Sequence, residues 1–227
     1  MLAWFAMLLG LYVFPFQKTK RQPAAENGLP ASAGPLAFFG RHKKFTVFLI
    51  GLVGIYISHV LINNFALQII TVKGGNSAQM GTAIAIQAVV ELPPLIFFAW
   101  IHRRLKLGFM MRVAAFFYFA KNLLTLAVSS VEAYYAVQVC QMFAWGITCI
   151  ALVYYVNEIM EEEDAVKGQA YVTTTNTIAM VIGSLAGGWL IDLSGVQTMM
   201  IFSACCGAFG AVLVLLGIRR QSSGIGT

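Results

Sequence analysis

The chain reads as an all-α integral membrane protein with seven transmembrane helices, and three observations predict that class. Hydrophobic residues make up 59% of the 227 and charged residues only 11%, where a soluble domain carries about 25% charge. Mean hydropathy is +0.78, and the apolar residues gather in stretches that match, or nearly match, the roughly 20 residues a helix needs to cross a hydrocarbon core. The alternating segments of about ten residues that mark a membrane β-barrel do not occur.

Taken in order, the stretches are Met1–Phe16, Phe45–Gln68, Gly81–Ile101, Phe109–Val128, Ala133–Asn157, Ala170–Ile191 and Thr198–Ile218. The first is short: at 1.5 Å per residue it covers about 24 Å of a core about 30 Å thick. It has neither a basic start nor a small-residue cleavage site, so it does not read as a signal peptide. A span that starts this late suggests the C-terminal piece of something longer, or a start at an internal Met. Residues 17–44, rich in Pro, Gly, Ala and Lys without apolar periodicity, read as a basic cytoplasmic linker. Residues 45–220 hold six spans joined by short loops, and 221–227 form a tail.

Basic residues set the topology. Lys18, Lys20, Arg21, Arg41, Lys43 and Lys44 precede the second span; Arg103, Arg104, Lys106 and Arg112 surround the next basic connection; Arg219 and Arg220 follow the last span. With seven crossings these fall on one side, leaving Lys73 on the other, and by the positive-inside rule that side is the cytoplasm. The N-terminus is then outside and the C-terminus inside. The net charge of +6 is therefore a topological signal, and its distribution around spans argues against a nucleic-acid partner. The acidic run Glu161–Asp164 reads as a solvated loop. Tyr134, Tyr135, Tyr154 and Tyr155 sit near the ends of the fifth span, as interfacial anchors do. Cys140, Cys149, Cys205 and Cys206 all lie within spans, so neither a disulfide framework nor a metal site follows from them.

Two ionisable residues fall in mid-span. Glu91 lies ten residues before Ile101 and Lys121 twelve after Phe109, about 15 and 18 Å deep from the same side on a helical rise. Each costs about 2.5–3.5 kcal/mol on insertion scales, so such residues face a partner or a watery path. Their helices are antiparallel neighbours, and pairing is within a lysine's reach. The functional reading is solute binding and proton coupling; the alternative is an internal ion pair that only fixes packing.

Other polar residues recur at helical spacing. Tyr56, His59 and Asn63 share one face of the second span, Gln87 lies one turn before Glu91, and Gln138, Gln141 and Trp145 form a stripe in the fifth. Amides bond hydroxyls from both sides and an indole covers an apolar ring face, which suits a hydroxylated solute; each stripe alone also fits hydrogen-bonded helix contact. His59 reads equally as a proton relay or a packing residue. The run Thr173–Thr177 reads as helix packing, since threonines bond their own backbone and Asn176 can bridge helices. Gly183 and Gly187 permit close helix contact or a gating bend. Pro93 and Pro94 remove backbone donors beside Glu91, and the expected break there exposes carbonyls to the cavity.

With these residues in hand the pattern resembles the C-terminal half of a major facilitator superfamily transporter, one late helix of the first half still attached. Gly81-x9-Glu91-Leu92-Pro93 resembles the glutamate-then-proline helix of the sugar and nucleoside proton symporters related to lactose permease. The basic turn from His102 to Gly108 resembles the superfamily's basic loop, without its usual acidic residue. The sequence Gly187 to Gly195 is similar to the exit from the fifth helix of that half. The resemblance implies a half-bundle of six helices over 45–220, residence in a bacterial plasma membrane, and alternating access around a midplane site. It also implies sugar binding and proton coupling through acidic and basic residues on the helices of Glu91 and Lys121.

Neither an ATP-binding loop nor a catalytic constellation occurs, which argues against an enzyme or primary pump, and nothing calls for a cofactor. The expected partners are the lipid bilayer, a small polar solute with protons, and the missing N-terminal half or a second copy. The competing readings are a seven-helix receptor, whose N-outside topology it shares but whose retinal-linking lysine its last span lacks, and a non-transporting half-transporter remnant.

Overall fold

The computed structural model describes residues 35–218. Met1–Phe16, the linker as far as residue 34, and residues 219–227 lie outside the described residues. The chain divides into two units, 1–40 and 41–227. Of the first, only the helix α1 (Pro35–Arg41) is described, inside the segment expected as linker; all the later helices belong to the second.

The described residues are helical almost throughout. The run is α2 (Lys43–Asn64), α3 (Ala66–Val72), α4 (Ser77–Ile96), α5 (Phe98–Arg104), α6 (Leu107–Ala127), α7 (Val131–Val137), a π-helical turn (Met142–Gly146), α8 (Ile147–Ile159) and α9 (Glu162–Gly217). Among the described residues five helices are long and apolar enough to cross a membrane, α7 through α8 counting as one. Large apolar side chains such as Val89, Ile96, Leu185 and Leu216 point outward, as a lipid solvent requires.

The fifth of these, α9, has 56 residues, about 84 Å at the helical rise and far more than one crossing. Gly195 breaks it with φ 81°, a left-handed conformation that glycine adopts without a Cβ penalty. The contacts of the two legs with α2 give their directions. Asp164 meets His42 and a Cβ at Gly187 would meet Leu61 and Phe65, so the first leg runs parallel to α2. Ser203 bonds Ser58 while Gly217 lies on Phe48, so the second runs antiparallel. The legs are therefore two antiparallel helices that carry the apolar runs 170–191 and 198–218, and α2 is buried between them along most of its length.

Close approach explains several small residues. A Cβ at Gly210 would lie 2.5 Å from Ile55 N and 2.6 Å from Gly51 O, so the second leg touches α2 backbone to backbone. A Cβ at Gly183 would sit 2.9 Å from Val60 Cγ1, and one at Gly187 2.2 Å from the Phe65 ring. This pair packs the first leg onto α2 and the Phe65 junction that follows it.

Helix ends follow local chemistry. Asn76 and Gln79 form a reciprocal capping box at the start of α4, and Ser130 accepts from Ala133 N at 3.2 Å to cap α7. At the far end of the bundle from the other basic residues, Lys73 donates to the carbonyls of Thr125 (2.9 Å) and Val128 at the C-terminus of α6, where a cation complements the helix dipole.

Three expectations change. The acidic run is no solvated loop: Glu162, Glu163 and Asp164 form the first turn of α9, where negative charge stabilises a helix N-terminus. Asp164 is buried and accepts from His42 Nε2 at 2.9 Å and Arg41 Nη1 at 3.3 Å, with Lys167 Nζ 3.5 Å away. Of the four tyrosines, Tyr134 and Tyr155 are buried while Tyr154 is exposed, because neighbouring positions point about 100° apart on a helix and cannot both face the interface. The break in the third span falls at Phe97, whose N–H bonds Pro93 O at 2.9 Å, one turn beyond the prolines; α4 runs through both of them.

Candidate functional site

At mid-depth four helices aim polar groups at one point. Lys121 on α6 is 2% exposed. Its ammonium donates to Gln141 Oε1 at 2.7 Å, Asn63 Oδ1 at 3.4 Å and Gln87 Oε1 at 3.5 Å. Three amide oxygens thus replace the water that the charge gives up on burial. Gln141 presents its other end to the carboxylate, Nε2 donating to Glu91 Oε1 at 2.9 Å. Among the described residues Lys121 and Glu91 make no direct ion pair; the Gln141 amide bridges them, its oxygen toward the ammonium and its nitrogen toward the carboxylate.

An aromatic wall borders this network. His59 stacks on Trp145 with centroids 4.9 Å apart and planes 8° apart, and its edge meets Tyr118 at 5.4 Å. Tyr56 meets Trp145 edge-on at 6.3 Å. Asn63 Nδ2 lies 2.9 Å from His59 Nε2, so the face of α2 that carries Tyr56, His59 and Asn63 links the wall to the lysine. Asn63, Gln87, Glu91, His59 and Trp145 are all half-buried, so the network is only partly covered.

Backbone irregularity positions two of these groups. Between α7 and α8 the bonds tighten to i→i−3 at Gln138, Val139, Gln141 and Met142 and then widen into the π turn. A π turn inside a helix often marks a functional site; here it brackets Gln141 and Trp145. Gly146 closes the turn: a Cβ there would stand 2.7 Å from Pro94 Cγ and 3.5 Å from Glu91 O, so glycine lets this segment lie against the helix that carries Glu91.

Gln138 takes no part in the stripe: its amide donates to Tyr134 O at 3.2 Å on its own helix. Eight of the nine expected site residues therefore gather, and Gln138 does not. Tyr118 joins without having been singled out, although its i, i+3 spacing to Lys121 on α6 is a legible signal.

A second buried polar group provides a contrast. Asn122 Nδ2 donates to Ser58 Oγ at 3.2 Å, and the single Ser203 hydroxyl proton is within reach of both Ser58 O, 3.0 Å away, and Asn122 Oδ1. All three residues are buried and satisfy one another, which pins α2, α6 and the second leg of α9 together. Thr173, Thr174, Thr175 and Thr177 each bond the carbonyl four residues earlier, as expected for threonines within a membrane helix.

Residues 119–226 match the family model of the Major Facilitator Superfamily. No curated protein matches the chain. The matched stretch includes Lys121, Gln141 and Trp145, whereas Glu91, Gln87 and the α2 face precede it. Together with an apolar all-helical bundle, the match supports a membrane transporter of that superfamily.

Proposed function

We propose that this chain is the C-terminal half-bundle of a proton-coupled secondary transporter, and that the Lys121–Gln141–Glu91 network is its solute and proton site. The observation that carries this reading is the partial cover of the network. A buried ammonium and a carboxylate joined by an amide, with half-buried groups about them, cannot face hydrocarbon; the uncovered part needs a water-filled cavity or protein against it. A structural ion pair would be closed, like the Ser58–Asn122–Ser203 group.

In the proposed cycle Glu91 exchanges a proton as solute binds. Protonated Glu91 no longer accepts as an anion from Gln141, so the amide and Lys121 are free to turn toward a solute. Neutral hydroxyls suit the remaining partners, because Asn63, Gln87 and Gln141 offer both donors and acceptors while the Trp145–His59 stack covers an apolar ring face. A sugar or nucleoside has that chemistry. A missing N-terminal half, or a second copy, would complete the cavity, and the two halves would rock about the midplane site. The basic end of the bundle, with Arg41, Arg103, Arg104 and Lys106, would face the cytoplasm. Proteoliposomes holding the complete assembly, offered sugars and nucleosides under an inward proton gradient, test the reading. Uptake that requires the gradient for at least one of them is expected. Gradient-independent uptake, or none for the whole panel, contradicts it.

A further inference from the structure

Beyond solute transport, we propose that the groove between α4–α5 and the π turn is a binding site for an anionic phospholipid. The groove has a volume of about 550 Å³ and is lined by Pro93, Pro94, Phe97, Trp100, Met142 and Phe143 among others, with almost no polar surface. Phe97 and Trp100 are exposed, so the groove opens outward from the bundle.

Its position along the bundle selects the occupant. One end is at Pro93, two residues from Glu91; the other is at Trp100, where Arg104 Cζ lies 5.3 Å from the ring centroid. The lining runs from Pro93 to Ile101, about 12 Å at the helical rise, and Arg104 lies a turn beyond, so groove and mouth together cover about half of a hydrocarbon core about 30 Å thick. That is the course of an acyl chain through one leaflet. Arg104 is held at the mouth by its cation–π contact, and Arg103 and Lys106 are exposed beside it. A guanidinium fork there suits a phosphate diester bidentately. Charge at the mouth and hydrocarbon along the length define an anionic phospholipid rather than a neutral one, and basic pockets between helices at the cytoplasmic face are where such headgroups bind.

The chain has four tryptophans, Trp4, Trp100, Trp145 and Trp189, which allows a direct test. Variants that keep only Trp100 or only Trp189, the others changed to Phe, are placed in phosphatidylcholine nanodiscs with a few per cent of lipid brominated in mid-chain, either phosphatidylglycerol or phosphatidylcholine. Bromine quenches indole only on contact. Trp100 is expected to show about a fivefold preference for the phosphatidylglycerol probe, the effect of one basic residue near a membrane surface. Arg104→Gln should remove that preference, and Arg104→Lys, which keeps the charge but loses the fork, should keep only part of it. Trp189, exposed on the first leg of α9, should show none. Equal quenching of Trp100 by both probes would mean bulk lipid only, and quenching by neither would mean that a protein segment covers the groove. Either result, or the same preference at Trp189, overturns the proposal.

Discussion

Gln141 is the residue on which the polar network turns, because it makes the shortest bond to Lys121, at 2.7 Å, and a 2.9 Å bond to Glu91. Gln141→Leu removes an acceptor from Lys121 and a donor from Glu91, leaving two charges short of a partner at membrane depth. A loss of about 2–3 kcal/mol in unfolding free energy is expected, read as a fall in thermal stability in lipid nanodiscs; a change under about 0.5 kcal/mol would mean that water bridges the charges instead. The linkage also orders the coupling energies. In double-mutant cycles, Gln141→Leu with Lys121→Met should couple by about 1 kcal/mol or more, and Lys121→Met with Glu91→Gln by less, since those two side chains do not touch. Strong Lys121–Glu91 coupling with weak Gln141 coupling would replace the bridge by a direct pair. The two charges and their shared depth were legible in the sequence. The bridge was not: helical spacing says which residues share a face, but not which way that face turns.

Elements carry the next level of control. Gly146→Val places a side chain where a Cβ already meets Pro94 Cγ at 2.7 Å, so the π turn and α4 must part; a cost of about 1–3 kcal/mol is expected, with a change in Trp145 fluorescence as the stack on His59 loosens. Wild-type stability and emission would show that the contact is easily relieved. At the basic end, before the apolar run of α9 begins, the hydrogen bond from His42, helped by the charges of Lys167 and Arg41, holds the Asp164 carboxyl below its ordinary value. A carboxyl lowered by folding contributes stability above its unfolded pKa of about 3.9 and loses it as pH falls through the folded value. Melting temperature should therefore drop on acidification below about pH 4, and drop less in Asp164→Asn. An equal acid response in both would remove Asp164 from the account. Sequence reading missed this contact because acidic residues weigh little in topology, although three of them at a helix start are a dipole signal. The bend at Phe65 carries no breaker residue and was hidden; the one at Phe97 was signalled a turn early by Pro93 and Pro94, and the reversal at Gly195 was marked by its Asp-Leu-Ser-Gly approach.

For the whole molecule, composition and hydropathy were enough to establish a helical membrane protein, because lipid leaves backbone groups no partner but their own helix. The order of packing required the structure. Nothing in the hydropathy of α2 distinguishes a central helix from a peripheral one, yet glycines at 51, 183, 187 and 210 draw both legs of α9 onto it. That arrangement leaves the network only partly covered, and the proposed function rests on that exposure. The most direct test compares wild type with Glu91→Gln in the complete assembly in proteoliposomes, measuring both gradient-driven accumulation and solute exchange at equilibrium for any solute the wild type carries. The account predicts that Glu91→Gln abolishes accumulation and retains exchange, because the binding groups survive and the exchangeable proton does not. Accumulation at the wild-type level would contradict it.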